Sequence, residues 1–114
     1  METQQTVEEG KTMAIIAYVT VIGLIIAFII NNDKKNSFTA YHIRQSLGIY
    51  ILWFALSLAH TALSFIVHIP LLSWIIYICM IALVVIGLIA AMQGERKPVP
   101  IVGEKFQEWF KNIG

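Results

Sequence analysis

Apolar and polar positions along this chain fall into long blocks. Three apolar runs, residues 13–30, 47–69 and 71–92, stand between polar segments, and each approaches the ~20 residues that carry a helix across a hydrocarbon core. A backbone surrounded by lipid has no outside hydrogen-bond partner, so each run must be helical. The pattern predicts an all-α membrane protein with three transmembrane helices. A polar tail (1–12) precedes the membrane domain (13–92), and a second tail (93–114) follows it.

The first run has Tyr18 and Thr20 as its only polar groups, and Gly23 leaves room for a neighbouring helix. The loop 31–37 carries asparagines, an aspartate and a lysine pair, which mark a solvated turn, and Ser37 is placed to cap the next helix. From Phe38 no helix breaker intervenes, so one long helix is expected over 38–69, roughly 48 Å at ~1.5 Å per residue. Its first turns must project beyond the hydrocarbon into the headgroups.

Projected at helical period, that helix has two faces. His42, Ser46, Trp53, Ser57, His60, Ser64 and His68 form a polar stripe. Gly48, Ala55, Ala59 and Ala62 form a small-residue seam nearly opposite, and such seams let backbones approach. Both faces therefore call for cover, from the other spans or from another protein. Pro70 makes the second and third runs a tight antiparallel hairpin. The third opens with interfacial Ser73, Trp74 and Tyr77 and closes with the small pair Gly87 and Ala91. In the tail, Pro98 and Pro100 impose an extended passage. Phe106, Trp109, Phe110 and Ile113 then recur at the spacing of an amphipathic helix, lying on the membrane or on a partner.

Composition agrees with the pattern: 114 residues that are 58% hydrophobic and 13% charged cannot hide their apolar surface in one small core. A net charge of +1 without a basic stripe excludes a nucleic-acid partner. The single cysteine, Cys79, is read as a small buried hydrophobe. The acidic first twelve residues lack the pattern of a removable signal peptide. Lys34, Lys35 and Arg44 flank the first loop, and Arg96, Lys97, Lys105 and Lys111 the C-terminal tail, against Lys11 alone before the first span. The positive-inside rule places the loop and C-terminus in the cytoplasm and the N-terminus outside, in a bacterial inner membrane.

His60 lies inside a span, where an ionisable group is a functional candidate by default; a hydrogen bond to Ser57, Ser64 or Thr20 would instead make it a packing residue. His42 and His68 fall near the two interfaces. Along one helix the three histidines are separated by ~27 and ~12 Å, too far to share a metal. All seven acidic residues lie outside the spans, and no catalytic constellation is evident. The expectation is a non-enzymatic chain without a cofactor.

Phe38, Tyr41, His42, Gln45, Ser46 and Leu47 run directly into the second span, and residues 94–103 combine a glycine exit, a basic stretch, prolines, aliphatics and a closing glycine. Together they resemble the Tic-twenty-like family of small bacterial membrane proteins, over residues 11–110. The resemblance implies a helical bundle and a role in protein translocation, although the plastid relative is described with four spans against three here. It marks Phe38, Tyr41, His42, Arg44 and Gln45 as partner or interface candidates, to which the amphipathic spacing of the tail adds Phe106, Trp109 and Phe110. Read physically, Arg44 reaches a lipid phosphate or a partner's carboxylate while His42 and Gln45 hydrogen-bond the exit of the third span. A clasp and a partner site both remain open. The preferred function is an accessory or assembly subunit of a larger membrane complex, bound to lipid and to other membrane subunits such as translocation machinery. The alternative is a homo-oligomeric small transporter or channel whose path runs along Ser57, His60, Ser64 and His68.

Overall fold

Thr20 breaks the first apolar run. In the computed structural model, which describes residues 4–114, its backbone is extended (φ −153°, ψ 169°) and its hydroxyl accepts the amide hydrogen of Gly23 at 3.0 Å. A threonine that caps a new helix ends the old one. The run therefore forms two helices, α1 (Gln4–Val19) and α2 (Val21–Lys34). They fold back on each other: a Cβ at Gly23 would collide with the carbonyl of Ile16. At the far end, Asn36 donates to the carbonyl of Thr6 at 2.9 Å.

The remaining helices are α3 (Ser37–Ser64), α4 (Pro70–Met92) and α5 (Gly103–Trp109). Among the described residues, only α3 and α4 are long and apolar enough to span a membrane. The expected third spanning helix, over 13–30, is replaced by the α1–α2 hairpin.

The cap of α3 is Asn36, whose side chain accepts from Thr39 N at 3.0 Å, rather than Ser37. At ~1.5 Å per residue its 28 residues extend ~42 Å. It ends at Ser64, short of the expected position 69, after Thr61 and Ser64 turn their hydroxyls onto the carbonyls of Ser57 and His60. Residues 65–69 are the connection, so His68 lies off the helix. Pro70 opens α4 where a missing amide hydrogen costs nothing.

α1 runs parallel to the first half of α3, as the pairs Gly10–Thr39, Ala17–Ser46 and Tyr18–Tyr50 show. α2 and α4 run the other way. The core lies here, built on Tyr18, Phe38, Ile49, Ala91, Val99 and Phe106. Beyond Leu52, α3 and α4 continue as a two-helix projection, and the molecule measures 52 × 23 × 23 Å. Phe54, Leu58, Phe65, Ile66, Trp74 and Ile78 are exposed on this projection, an apolar surface suited to lipid.

α4 leaves through Gly94 in left-handed conformation (φ +73°), with Gly94 N donating to Ala91 O and Glu95 N to Ala90 O, a hydrogen-bonded stop for the helix. The tail then descends along α3 instead of lying free on a surface. Glu95 meets His42, Val99 meets Gln45, and Ile101 reaches the level of Leu52 and Met80. There Val102 N bonds Pro100 O at 2.8 Å and Ile101 sits at φ +73°, 97% exposed. α5 returns to place Phe106 against Gly48, and Arg44 Nε donates to Ile113 O at 2.8 Å. The start of α1, the loop 31–36 and both ends of the tail thus gather at one end of the bundle, where three crossings would have put the N-terminus opposite the C-terminus.

Candidate functional site

The first half of α3 turns a row of polar side chains into this gathered end. His42 and Gln45 are fully buried, as is Tyr18 of α1. His42 Nε2 lies 2.9 Å from the carbonyl oxygen of Glu95, which can only accept, so that nitrogen carries the proton. Nδ1 is then the acceptor, and the Tyr18 hydroxyl donates to it at 2.6 Å. Gln45 Nε2 donates to the Tyr18 oxygen at 2.8 Å and to Lys97 O at 3.3 Å, while Gln45 Oε1 accepts from Val99 N at 2.9 Å. The tail supplies three backbone partners and α1 the phenol. Each polar atom named is satisfied, the condition for burying such a group without a large penalty.

Aromatic rings close the network. Phe38 and Tyr41 meet the His42 imidazole edge-on, with centroids 4.7 and 5.2 Å away. Arg96 bonds Ser37 Oγ at 2.8 Å and stands 6.0 Å from the Tyr41 ring. Close approach requires glycine at two places: a Cβ at Gly87 would strike the Tyr18 ring, and one at Gly48 the Phe106 ring.

The interface candidates are therefore distributed. Phe38, His42, Gln45 and Phe106 are buried inside the chain's own fold; Tyr41, Arg44 and Phe110 are half-buried, and Trp109 is exposed. Arg44 holds the tail's end through its Nε, which donates to the carbonyl of Ile113. The seam divides likewise. Gly48, Gly87 and Ala91 pack within the molecule, while Ala55, Ala59 and Ala62 are exposed and uncovered. Cys79 is exposed on α4 rather than buried.

The polar stripe is not continuous. Its near part, His42 and Ser46, is sealed in the core, and its far part lines a half-open cleft of about 220 Å³ between α3 and α4 with Trp53, Ser57, His60, Thr61, Ser73 and Tyr77. None of the anticipated bonds to His60 forms: Thr20 caps α2, Ser64 bonds the His60 carbonyl, and the imidazole Nδ1 is buried with no partner among the described residues. His68 is exposed in the connection. No group of three His, Cys, Asp or Glu among the described residues is placed to hold a metal ion.

Tyr18, the centre of the network, escaped sequence reasoning, although a phenol among aliphatics was the available signal; the expected hydrogen bonds from His42 and Gln45 to the exit of the third span form, to Glu95, Lys97 and Val99.

A family model described as the magnetosome magnetite crystal formation protein family, MamF/MmsF, matches residues 9–106. No curated protein and no solved structure matches the chain. The match overturns the Tic-twenty-like resemblance, whose two motifs, 38–47 and 94–103, both lie inside the matched span. In the structure those motifs face each other as two halves of one internal clasp.

Proposed function

The chain belongs to the magnetosome magnetite crystal formation protein family, and on that premise we propose that it is a non-enzymatic accessory protein of the magnetosome membrane. It serves crystal formation by assembling with other magnetosome membrane proteins or with its own copies. The family match carries the reading, because it takes in both candidate spanning helices and nearly the whole clasp. The uncovered Ala55, Ala59 and Ala62 seam supports assembly. Translocation machinery has no place in it.

In this reading the gathered end faces the cytoplasm, since Lys34, Lys35, Arg44, Arg96, Lys97, Lys105 and Lys111 all belong to it. The connection 65–69 faces the vesicle interior. The test is deletion in a magnetosome-forming bacterium with a tagged copy returned. Electron microscopy should show crystals of altered size or shape, restored by the copy. Mild-detergent purification should retain other membrane subunits or a defined homo-oligomer. Unaltered crystals in the deletion strain would overturn the proposal.

A further inference from the structure

The α1–α2 hairpin is polar at its open end and apolar toward its corner. The open end is formed by residues 4–12 and 31–36, tied together by Asn36 and Thr6, whereas from Met13 to Ile30 only Tyr18 and Thr20 are polar. The small residues of α2, Gly23 and Ala27, are buried, Gly23 against α1. Its exposed positions carry Val21, Ile22, Ile25, Ile26, Phe28 and Ile29, with Ile22 at 70%. Asn32, Asp33, Lys34 and Lys35 are exposed immediately beyond them.

Depth and hydrogen bonding at the corner point to what covers this face. α1 runs parallel to α3, and its last carbonyls meet Ser46 and Tyr50, so the corner stands level with the middle of α3 (Ser37–Ser64). The apolar part of α2, residues 21–30, is ~15 Å long, half of a ~30 Å hydrocarbon core. Beside the hairpin, α4 keeps an exposed apolar line, Ile81, Val85, Ile89 and Met92, up to its end at the gathered side. Gly87 of this helix touches the Tyr18 ring, so lipid that covers the line also reaches the level of the hairpin. In hydrocarbon a helix end has no water to satisfy it. Here the carbonyls of Ala17 and Tyr18, which end α1, accept the hydroxyl hydrogens of Ser46 and Tyr50, and Thr20 accepts the amide hydrogen of Gly23. A second copy is the poorer occupant, because helices associate in lipid through small residues and those of α2 face inward. We propose that the hairpin is re-entrant: it enters the leaflet at the gathered end, turns at Thr20 near the middle of the bilayer, and presents the outer face of α2 to acyl chains, with Lys34 and Lys35 among the headgroups. The inference rests on the chain being a membrane protein, not on its part in crystal formation.

The experiment places one nitroxide at a time on Ile22→Cys, Ile29→Cys and Asn32→Cys, all exposed positions, in the full-length Cys79→Ala chain. The protein is reconstituted into vesicles of phosphatidylcholine and phosphatidylglycerol. Power-saturation EPR then compares access of oxygen, which concentrates in hydrocarbon, with access of a water-soluble nickel chelate. The oxygen-to-nickel ratio should be several-fold higher at position 22 than at 32, with 29 between them. A pair of nitroxides on Glu9→Cys and Lys34→Cys, which border one cleft, should lie far closer than the ~38 Å that one continuous helix over 9–34 would impose. High nickel access at 22 and 29 would overturn the proposal by placing α2 in water. Low access of both reagents there would overturn it in favour of a second copy packed on α2, and a separation near ~38 Å would overturn the hairpin itself. These measurements are independent of the crystals that a deletion strain forms, so this proposal and the functional one can fail separately.

Discussion

Tyr18 shows how much one hydroxyl can hold. Its ring fills the notch left by Gly87, and its oxygen links Gln45 to His42. Tyr18→Phe keeps the ring and removes the link. Each buried group that loses its partner costs about 1–3 kcal/mol, although Gln45 retains Lys97 O. The variant should unfold at lower temperature in detergent while keeping its helical circular dichroism; an unchanged melting temperature would show that the network contributes little. Gly48→Ala acts from the opposite side. The added methyl meets the Phe106 ring, so α5 should detach and limited proteolysis should cut the tail after Gly94 far faster than in the native chain. Ala59→Leu, on the exposed part of the seam, should leave that cleavage rate unchanged.

At the scale of elements, the decisive feature is the corner at Thr20. A helix start loses about 0.5–2 kcal/mol without its cap, and valine at this position would favour one continuous helix over 13–30. The native hairpin places the start of α1 beside the tail. With Cys79 replaced by alanine, single cysteines introduced at Glu8 and Lys111 should therefore react with an impermeant maleimide from the same side of sealed vesicles, and one at Val67 from the other. Labelling of positions 8 and 111 from opposite sides would refute the hairpin. Thr20→Val should shift position 8 toward the other side. The tail obeys the same logic: two prolines deny it a helix, so its backbone groups are free to meet His42 and Gln45.

For the molecule as a whole, the contrast between its two ends is the main result. One end is wrapped by α1, α2, the tail and α5 around buried polar groups; the other is two helices with apolar side chains exposed, Phe54 among them at 66%. Such a surface in water would drive aggregation. In a bilayer it is ordinary lipid-facing surface, and it is the part left available for another chain. The wrapped end is self-sufficient, because Phe38, His42 and Gln45 are spent on the chain's own tail. A partner that assembles with this protein is therefore expected on the projecting helices, and leucines at Ala55 and Ala59 should reduce the recovery of any co-purifying subunit without lowering the melting temperature.

By itself the sequence determined that the chain is helical and lives in a membrane, because runs of apolar residues leave a backbone only that solution in lipid. It also determined the extent of α4, bounded by Pro70 and Gly94, and singled out residues 38–45 and 94–103 as special. It left those stretches open between an internal clasp and a partner site, since residues that serve the one look the same in one dimension as residues that serve the other. Only the tertiary structure decided that Thr20 is a corner, that the tail re-enters along α3, and that half of the small-residue seam is occupied. Each of these depends on contacts between positions far apart in the chain, such as Thr6 with Asn36 and Gln45 with Val99, and no local pattern of hydropathy encodes them.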